Sequence, residues 1–241
     1  MCRGRHPVVP VGANIIRPTV RASFTSPPKQ IMKIEKIILA SASPRRREIL
    51  KENGIDFEVV LPSGDEKNIV GEKYSEELVN ECAITKAKSV LVGVNQQCRG
   101  RHSVVPVGAD IIRPTVRASY TSPIIVSCDT VVVNDGIIIG KPKDREDAIR
   151  ILKSLSGKTH IVASSVCVMR GDEVKVAHEI TKVTFREITE REIEEYIDRC
   201  NPLDKAGSYG IQDEDFDFVV KVEGNLDNVI GFPMKAFNSI I

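Results

Sequence analysis

The sequence predicts an α/β fold in which a mixed β-sheet is flanked by helices. Short apolar runs, which are typical of buried strands, alternate with longer segments that have helix start and stop signals. Two pairs of runs are separated only by short turns, Asn-Asp-Gly at 134–136 and Arg-Gly-Asp at 170–172, which indicates hairpins. Because hairpins pair antiparallel strands and strand–helix–strand units pair parallel strands, we expect a sheet of both kinds.

In the first half of the chain the helix signals are the clearest. Ser43 and Pro44 supply an N-cap and a proline at the first helical position, and Gly54 marks the end of this helix. Ser75, followed by two glutamates, begins a longer helix. The elements predicted here are a strand over 36–40, a helix over 44 to about 53, a strand over 57–61 and a helix from 75 to about 91.

In the second half the caps again define the helices. Asp144 is the predicted N-cap of one helix, and Thr189 with Glu192 has the capping-box pattern of another. The elements predicted here are strands over 124–133, 137–139, 159–169, 174–185 and 216–222, helices over about 145–155 and 190–199, and a short helix after Pro233.

One segment of the chain occurs twice, at 2–27 and 98–123, with only three differences between the copies. Structural repeats that have long shared a fold diverge further, and two distant copies do not stack as solenoid units do. We interpret the pair as recently duplicated or spliced-in material. The chain is then a basic N-terminal extension over 1–31, expected to be exposed and poorly ordered, and a domain over 32–241 that an insert at 98–123 interrupts.

The formal charge of +1 conceals an uneven distribution. Residues 1–31 carry +5 and residues 98–123 carry +3, so the remaining 184 residues carry −7. An exposed extension, an organellar transit peptide and a nucleic-acid-binding arm are the alternatives for the basic N-terminus. We favour the first, because nearly the same peptide occurs in mid-chain and no aromatic ladder accompanies its arginines, and we expect no nucleic-acid partner.

Composition excludes several classes of protein. The sequence has no run of about 18 apolar residues, which excludes a transmembrane helix and a membrane partner. Its six cysteines are scattered, without a CxxC pair or a Cys/His cluster, which argues against a zinc site. Since no secretory signal is visible, we expect reduced thiols and a cytoplasmic location.

The segment SASPRRR at 41–47 is the first candidate site. Three arginines occupy the first turn of the predicted helix, where the helix dipole favours acids. Free N–H groups at a helix N-terminus bind anions, and arginine adds bidentate contacts to phosphate. A bound phosphate group would explain this pattern, and a solvated basic turn is the alternative.

The second candidate is Asp129-Thr130 within the apolar run IIVSCDTVVV. An acid in the middle of an apolar strand is costly unless it is paired or bound to a metal. A structural salt bridge and a functional carboxylate are the alternatives, and we favour the second.

Three more segments have polar groups suited to phosphate chemistry. Lys141 follows the first hairpin, and DKAGSYGIQ at 204–212 combines an acid, a base, two glycines and an amide. Asp-Glu at 65–66 adds carboxylates. Together these segments supply cations for phosphate and carboxylates for Mg²⁺, the groups required for metal-assisted attack on a polyphosphate.

Two other features indicate no site. SGKT at 156–159 ends like a P-loop, but the Walker A pattern requires glycine where this chain has Leu152, and a helix leads into a strand here. His160 is isolated, and we expect it on the surface of a strand. No Ser–His–Asp or Cys–His arrangement is indicated.

Three segments resemble the Maf family of nucleoside triphosphate pyrophosphatases: IILASASPRRREIL, CDTVVVNDGIIIGKPKDREDAIRILKSLSGKTH and PLDKAGSYGIQ. The resemblance extends from about Lys36 to the end, without 98–123. It implies an elongated α/β structure with a cleft between two lobes, similar to the inosine triphosphate pyrophosphatases. It also implies a cytoplasmic homodimer that uses Mg²⁺ or Mn²⁺ to hydrolyse nucleoside triphosphates to the monophosphate and pyrophosphate.

Within the family, DKAGSYGIQ resembles the branch that hydrolyses dTTP and UTP. The resemblance makes Asp129 the proton acceptor, and Arg46, Thr130 and Gln212 match positions linked to substrate choice. The other matches to the polar cleft are Ser41, Arg45, Glu66, Lys141 and Lys205. The alternatives are hydrolysis of modified nucleotides or 7-methyl-GTP, and a nucleotide-binding regulator of septum formation in cell division.

These residues suggest a mechanism in which Asp129, Glu66 and Lys141 are catalytic. Arg45, Arg46 and Lys141 would hold the phosphates, and Glu66 and Asp129 would hold Mg²⁺. Asp129 would also activate water for attack at the α-phosphate, and the Gln212 amide would read a pyrimidine edge.

The insert ends six residues before Asp129. It either leaves the cleft intact as a surface loop or misaligns the strand that contains Asp129.

Overall fold

The structure, a computed structural model, describes residues 35–63, 68–99, 122–213 and 216–241. All of the N-terminal extension, Glu66 and most of the insert lie outside these residues, so the expectations about the order of the extension and the insert stay predictions. The strands are β1 (Ile37–Ala40), β2 (Phe57–Val59), β3 (Ile124–Asn134), β4 (Ile137–Ile139), β5 (Thr159–Arg170), β6 (Glu173–Phe185) and β7 (Val219–Glu223). The α-helices are α1 (Pro44–Glu52), α2 (Glu76–Arg99), α3 (Arg145–Leu155), α4 (Glu190–Cys200), α5 (Leu226–Ile230) and α6 (Met234–Ile240).

The described strands form one mixed sheet in the order β2-β1-β3-β5-β6-β7, with β4 paired to β3. β1 is parallel to both β2 and β3, because the connections through α1 and α2 return the chain to the same end of the sheet. The β3–β5, β5–β6 and β6–β7 pairs are antiparallel. The predicted mixed α/β sheet with flanking helices is confirmed.

Helices cover both faces of this sheet. On one face α2 packs against β3 and β5, with two alanines and Val90 of the helix on Ile125, Cys167 and Met169. On the other face α1 and α6 pack over β1, β3 and β5, and α3 and α4 pack over the Phe185 end of β6. No helix of the described chain is both long and apolar enough to cross a membrane.

The position of β3 in the sheet creates a gap that matters for the site. β1 pairs with β3 at 124–127 and β4 pairs with it at 132–134, both on the same edge of β3. Residues 128–131, which we call the sheet gap, therefore have no strand partner on that edge among the described residues. Because side chains alternate along a strand, the gap presents polar groups toward both faces.

β3 has a regular register on β5 directly after the insert. β3 begins at Ile124, directly after the inserted copy, and pairs with β5 without interruption from Ile124 to Val133. The β3–β5 pairing is therefore continuous through Asp129, and the choice between the two possibilities for the insert stays a prediction.

The local helix signals are confirmed with small differences at the element ends. The Asp144 carboxylate accepts a hydrogen bond from the Asp147 amide at 2.8 Å, and Thr189 with Glu192 forms a complete capping box. Ser43 occupies the N-cap position of α1, but its side chain makes no capping hydrogen bond. The SGKT segment connects the end of α3 to the start of β5, as expected.

Several boundaries and elements differ from the predictions. α2 continues to Arg99 rather than ending near 91, and β7 begins at Val219 rather than 216. β2 ends at Val59. α5 and two short 3₁₀ turns, Pro202–Asp204 and Ala206–Ser208, were not predicted from the sequence. These short elements are stabilised by tertiary contacts, such as the buried Asn228 amide on the Val162 carbonyl oxygen at 3.0 Å, rather than by local sequence signals.

Candidate active site

A large cavity of about 1000 Å³ opens at the sheet gap. Its walls come from the β1–α1 loop, α2, β3, the segment after β4, the 204–213 segment and the segment around Gly231. Eight of the nine residues predicted for the site line it: Ser41, Arg45, Arg46, Asp129, Thr130, Lys141, Lys205 and Gln212. The ninth, Glu66, is not among the described residues.

Three hydrogen bonds hold Arg46 in the wall of the cavity. Its guanidinium donates to the Gly231 carbonyl oxygen at 2.9 Å and to the Ser41 hydroxyl at 3.0 Å. A third bond reaches the Thr130 hydroxyl at 3.3 Å. Three separate segments therefore fix the orientation of this side chain. A guanidinium has five N–H donors, so these contacts leave donors for a ligand.

The Thr130 hydroxyl is hydrogen-bonded within the protein and helps to hold Arg46. Its hydroxyl accepts from Ser164 at 2.9 Å as well as from Arg46, and it donates to the Gly231 carbonyl oxygen at 3.3 Å. The proton and both lone pairs of this hydroxyl are thus used within the protein.

Asp129 lies on the α2 side of the sheet gap and pairs with Lys86. The Lys86 ammonium is 2.5 Å from one carboxylate oxygen of Asp129, and both side chains are largely buried. Among the described residues the other carboxylate oxygen has no hydrogen-bond donor, so it is available to a ligand or water. The salt bridge and the functional carboxylate were posed as alternatives, but the ion pair itself forms part of the cavity wall.

Lys86 was not among the residues predicted for the site from the sequence. Its segment, ITKAKSV, contains two lysines, and nothing local distinguishes them. Only the packing of α2 on β3 selects Lys86 as the lysine that faces Asp129.

Arg45 and Lys141 are the more accessible cations. Arg45 makes a 3.4 Å contact with Asp204, an exposed pair of small energetic value. Lys141 is exposed at the cavity wall and forms no ion pair with any other part of the described chain. Both can therefore turn toward an anion at little cost.

Lys205 is directed into the protein more than expected. Its ammonium donates to the Cys200 carbonyl oxygen at 3.3 Å and lies 3.5 Å from Asp204 and 3.9 Å from Asp213. These contacts tie together the segment that forms one wall of the cavity.

The charge of the described lining is positive. It contains six cationic and three anionic side chains: Arg45, Arg46, Lys86, Lys141, Lys143, Lys205, Asp129, Asp204 and Asp213. Such an excess in a concave site attracts anions such as polyphosphates.

His160 contradicts the prediction of a strand-surface residue. It is buried, with Nε2 hydrogen-bonded to the Tyr209 hydroxyl at 2.9 Å and its ring edge-on to Phe185. Burial lowers the pKa of His160 to about 4 and raises that of Tyr209. The prediction was wrong because α3, α4 and the 204–213 segment cover this end of the sheet, which sequence alternation could not reveal.

The Asp129 carboxylate offers a divalent metal one ligand in the cavity. The described residues contain no cluster of three or more His, Cys, Asp or Glu side chains that could hold a metal by themselves. Mg²⁺, however, is commonly held by one or two carboxylates together with substrate phosphates and water. Asp129, with its free oxygen beside the cationic wall, meets that requirement.

The fold and this cavity define a class: an α/β protein with a cationic pocket and a largely buried carboxylate at a break in the sheet. The chain belongs to the Maf-like protein family, whose profile matches residues 36–241. It is 41% identical over 210 residues to a protein from Dictyoglomus thermophilum named dTTP/UTP pyrophosphatase, covering 86% of this chain and 95% of the relative. A protein of the same name from Acetivibrio thermocellus is 40% identical, covering 86% and 94%.

One relative and one solved structure complete the comparison. The dTTP/UTP pyrophosphatase of Thermotoga maritima is 39% identical over 199 residues, covering 83% of this chain and 84% of that protein. A structure of a HAM1 protein from Coxiella burnetii aligns with 63% of this chain and 73% of its own, with a TM-score of 0.37 and 13% identity. The family resemblance stated from the sequence motifs is confirmed by the sequence relatives.

Proposed function

We propose that this protein is a nucleoside triphosphate pyrophosphatase that hydrolyses dTTP and UTP to the nucleoside monophosphate and pyrophosphate. The main support is the convergence of Arg45, Arg46, Lys141 and Asp129, from three separate segments, on one cavity at the sheet gap. The names of the relatives support the choice of substrate.

The phosphate chain would bind to the cationic wall. Arg46 presents its remaining N–H donors in a fixed orientation, and Arg45 and Lys141 adapt to the outer phosphates. Arginine and lysine neutralise the charge that accumulates on the departing pyrophosphate, which lowers the barrier to its release.

Asp129 would act as the general base. Its free carboxylate oxygen accepts a proton from the water that attacks the α-phosphorus, while the bond from that phosphorus to the bridging oxygen breaks. The products are the monophosphate and pyrophosphate. Lys86, bonded to the other oxygen, holds the carboxylate in place.

A divalent cation, Mg²⁺ or Mn²⁺, would be held by Asp129 together with Glu66 and the substrate phosphates. When bound, it would supply charge neutralisation and polarise the phosphoryl oxygens. The expectation of a cytoplasmic homodimer belongs to the same proposal.

The nucleobase would lie near Gln212, which lines the cavity from the 204–213 segment. A primary amide presents both a donor and an acceptor, which matches the imide edge shared by thymine and uracil. A site that hydrogen-bonds a substrate edge rejects analogues without it, because the polar groups of the site are then left unpaired.

A nucleotide panel tests this proposal. We expect pyrophosphate release from dTTP and UTP in the presence of Mg²⁺ or Mn²⁺, and loss of release in EDTA. Release from modified nucleotides or 7-methyl-GTP alone would overturn the substrate assignment. Tight nucleotide binding without any release would overturn the enzymatic role and favour a regulatory binder.

A further inference from the structure

The wall that carries Gln212 is a four-residue turn. The Asp213 amide donates to the Gly210 carbonyl oxygen at 3.2 Å, which closes a β-turn with Ile211 and Gln212 at its centre. Gln212 is exposed and lines the cavity. The direction of its side chain therefore depends on how this turn is held against the body of the protein.

One hydroxyl group, that of Tyr196 in α4, contacts both ends of the turn. It accepts from the Gly210 amide at 2.9 Å and donates to a carboxylate oxygen of Asp213 at 2.5 Å. Tyr196 itself does not line the cavity, so it acts only through the turn.

The core fixes this hydroxyl in position. The Tyr196 ring is 1% exposed and packs edge-on against Phe216 and Phe218, with centroid distances of 5.0 and 5.1 Å. Because the ring cannot rotate away without disrupting these contacts, the hydroxyl is a rigid reference point for the turn.

The turn is also packed too closely to shift freely. A Cβ atom at Gly210 would lie 2.7 Å from a carboxylate oxygen of Asp213. Gly210 thus allows the Asp213 carboxylate to fold back over the backbone and reach the Tyr196 hydroxyl. The Lys205 ammonium, 3.9 Å from the same oxygen, adds a weaker attraction.

We propose that the Tyr196 hydroxyl is a positioning group for nucleobase selection: it orients the 210–213 turn so that Gln212 faces the base. This inference rests on the proposed function, in which Gln212 reads the pyrimidine edge. It predicts that loss of the hydroxyl changes KM and discrimination between bases, while kcat, which depends on Asp129 and the cationic wall, changes little.

The test is Tyr196→Phe, which keeps the ring and its packing and removes only the oxygen. We expect KM for dTTP and UTP to rise about ten-fold, the size of effect expected from losing hydrogen bonds to a charged group. We expect kcat to change less than two-fold. The preference for dTTP over dATP should fall by a similar factor.

Tyr74→Phe is the matched control. It removes another partly buried tyrosine hydroxyl, bonded to His178 at 2.8 Å, from a residue that does not line the cavity. KM and base preference should be unchanged in this control, with both variants assayed well below their unfolding temperatures.

A double variant makes the route of the effect measurable. If Tyr196 acts through Gln212, adding Tyr196→Phe to Gln212→Ala should produce no further loss of base preference, because coupled residues are not additive. Fully additive losses would overturn the inference, as would a Tyr196→Phe variant with the KM and preference of the original protein.

The experiment separates this inference from the proposed function. If the original protein prefers a different nucleotide, the substrate assignment fails. The ratio of kcat/KM for that nucleotide to kcat/KM for a disfavoured nucleotide, compared between the original protein and Tyr196→Phe, still tests the role of Tyr196. If the original protein releases no pyrophosphate, nucleotide dissociation constants replace KM in the same comparison. A protein that binds no nucleotide at all would overturn both.

Discussion

The two ends of the cavity are built in different ways. The sheet-gap end, formed by Arg46, Asp129 and Thr130, lies on β3 and the helix start beside it. The turn end, formed by the 210–213 turn with Gln212, belongs to a segment without a strand or α-helix. The sheet-gap end would perform the chemistry, and the turn end would select the base.

The difference shows how each end obtains its precision. Asp129 and Thr130 are placed by strand register, with Asp129 opposite Ser165 and Thr130 opposite Ser164 in a continuous ladder with β5. The turn end has no strand pairing, and the Tyr196 hydroxyl of α4 is hydrogen-bonded to both ends of the turn, at Gly210 and Asp213. Changes at the first end should therefore affect turnover, and changes at the second should affect selection and local stability.

The largest expected effect is a loss of turnover when the Asp129 carboxylate at the sheet-gap end is changed. Asp129→Asn keeps the shape of the side chain but removes its ability to accept a proton. We expect kcat to fall by roughly 10²–10⁴-fold, the range for loss of a general base. Steady-state pyrophosphate release from dTTP measures this.

Asp135→Asn is the control for that variant. Asp135 is also paired with a lysine, Lys158 at 3.1 Å, but lies exposed in the β3–β4 turn. Asparagine tolerates the left-handed backbone there, at φ 51°, so this substitution should leave kcat unchanged. Unchanged turnover in Asp129→Asn would remove Asp129 from the mechanism.

A smaller effect is expected for the cation at the same end. Arg46→Lys keeps the charge but cannot reproduce the fork that reaches Ser41, Thr130 and Gly231 together. We expect kcat/KM to fall by about 10²-fold, because the remaining charge is no longer held toward the phosphates.

Arg47→Lys is the paired control, since this neighbouring arginine of the same helical turn does not line the cavity. It should keep the original kcat/KM. If both variants lose activity equally, the general basicity of the turn matters, and the fixed geometry of Arg46 does not.

A buried histidine near the turn end should make the stability of the protein depend on pH. His160, which supports Tyr209 beside the turn, has a pKa of about 4 because it is buried, against about 6.5 when unfolded. Between these pH values the unfolded chain binds a proton that the folded protein does not, so stability falls as the pH decreases. We expect a loss of about 2 kcal/mol in the free energy of unfolding between pH 7 and pH 5.

Urea unfolding at several pH values, compared with His160→Gln, measures this contribution. Glutamine can still bond to Tyr209 but does not titrate, so the variant should lose stability less steeply with pH. Burial also lowers the pKa of His178, which leaves a smaller slope of the same sign in the variant. Equal slopes in both proteins would show that His160 does not contribute.

Much of the fold follows from local signals. The capping pair Thr189 and Glu192, the Asp144 cap and the glycine-containing turns at 134–136 and 170–172 place helices and hairpins within a few residues. The predictions were weaker where an element depends on its neighbours. α5 and the two 3₁₀ turns have no strong local pattern, and α2 extends beyond its predicted end.

The same distinction applies to the candidate site. A cation-rich helix start and an acid within an apolar strand are unusual in any sequence, so Arg45, Arg46 and Asp129 could be selected without a structure. Lys86 and Tyr196 could not, because a lysine or tyrosine on a helix is ordinary until its partner is known. Their importance comes from the 2.5 Å contacts that each makes across the fold.

The sequence by itself determined the α/β class, the family and the identity of the unusual charges, because these depend on residue types and their spacing along the chain. Tertiary structure decided where β1 ends and β4 begins along β3, which lysine meets Asp129, and which hydroxyl holds the Gln212 turn. Those choices depend on distances of a few ångströms between segments far apart in the chain, and they follow from the packing of α2 and α4 against the rest of the protein.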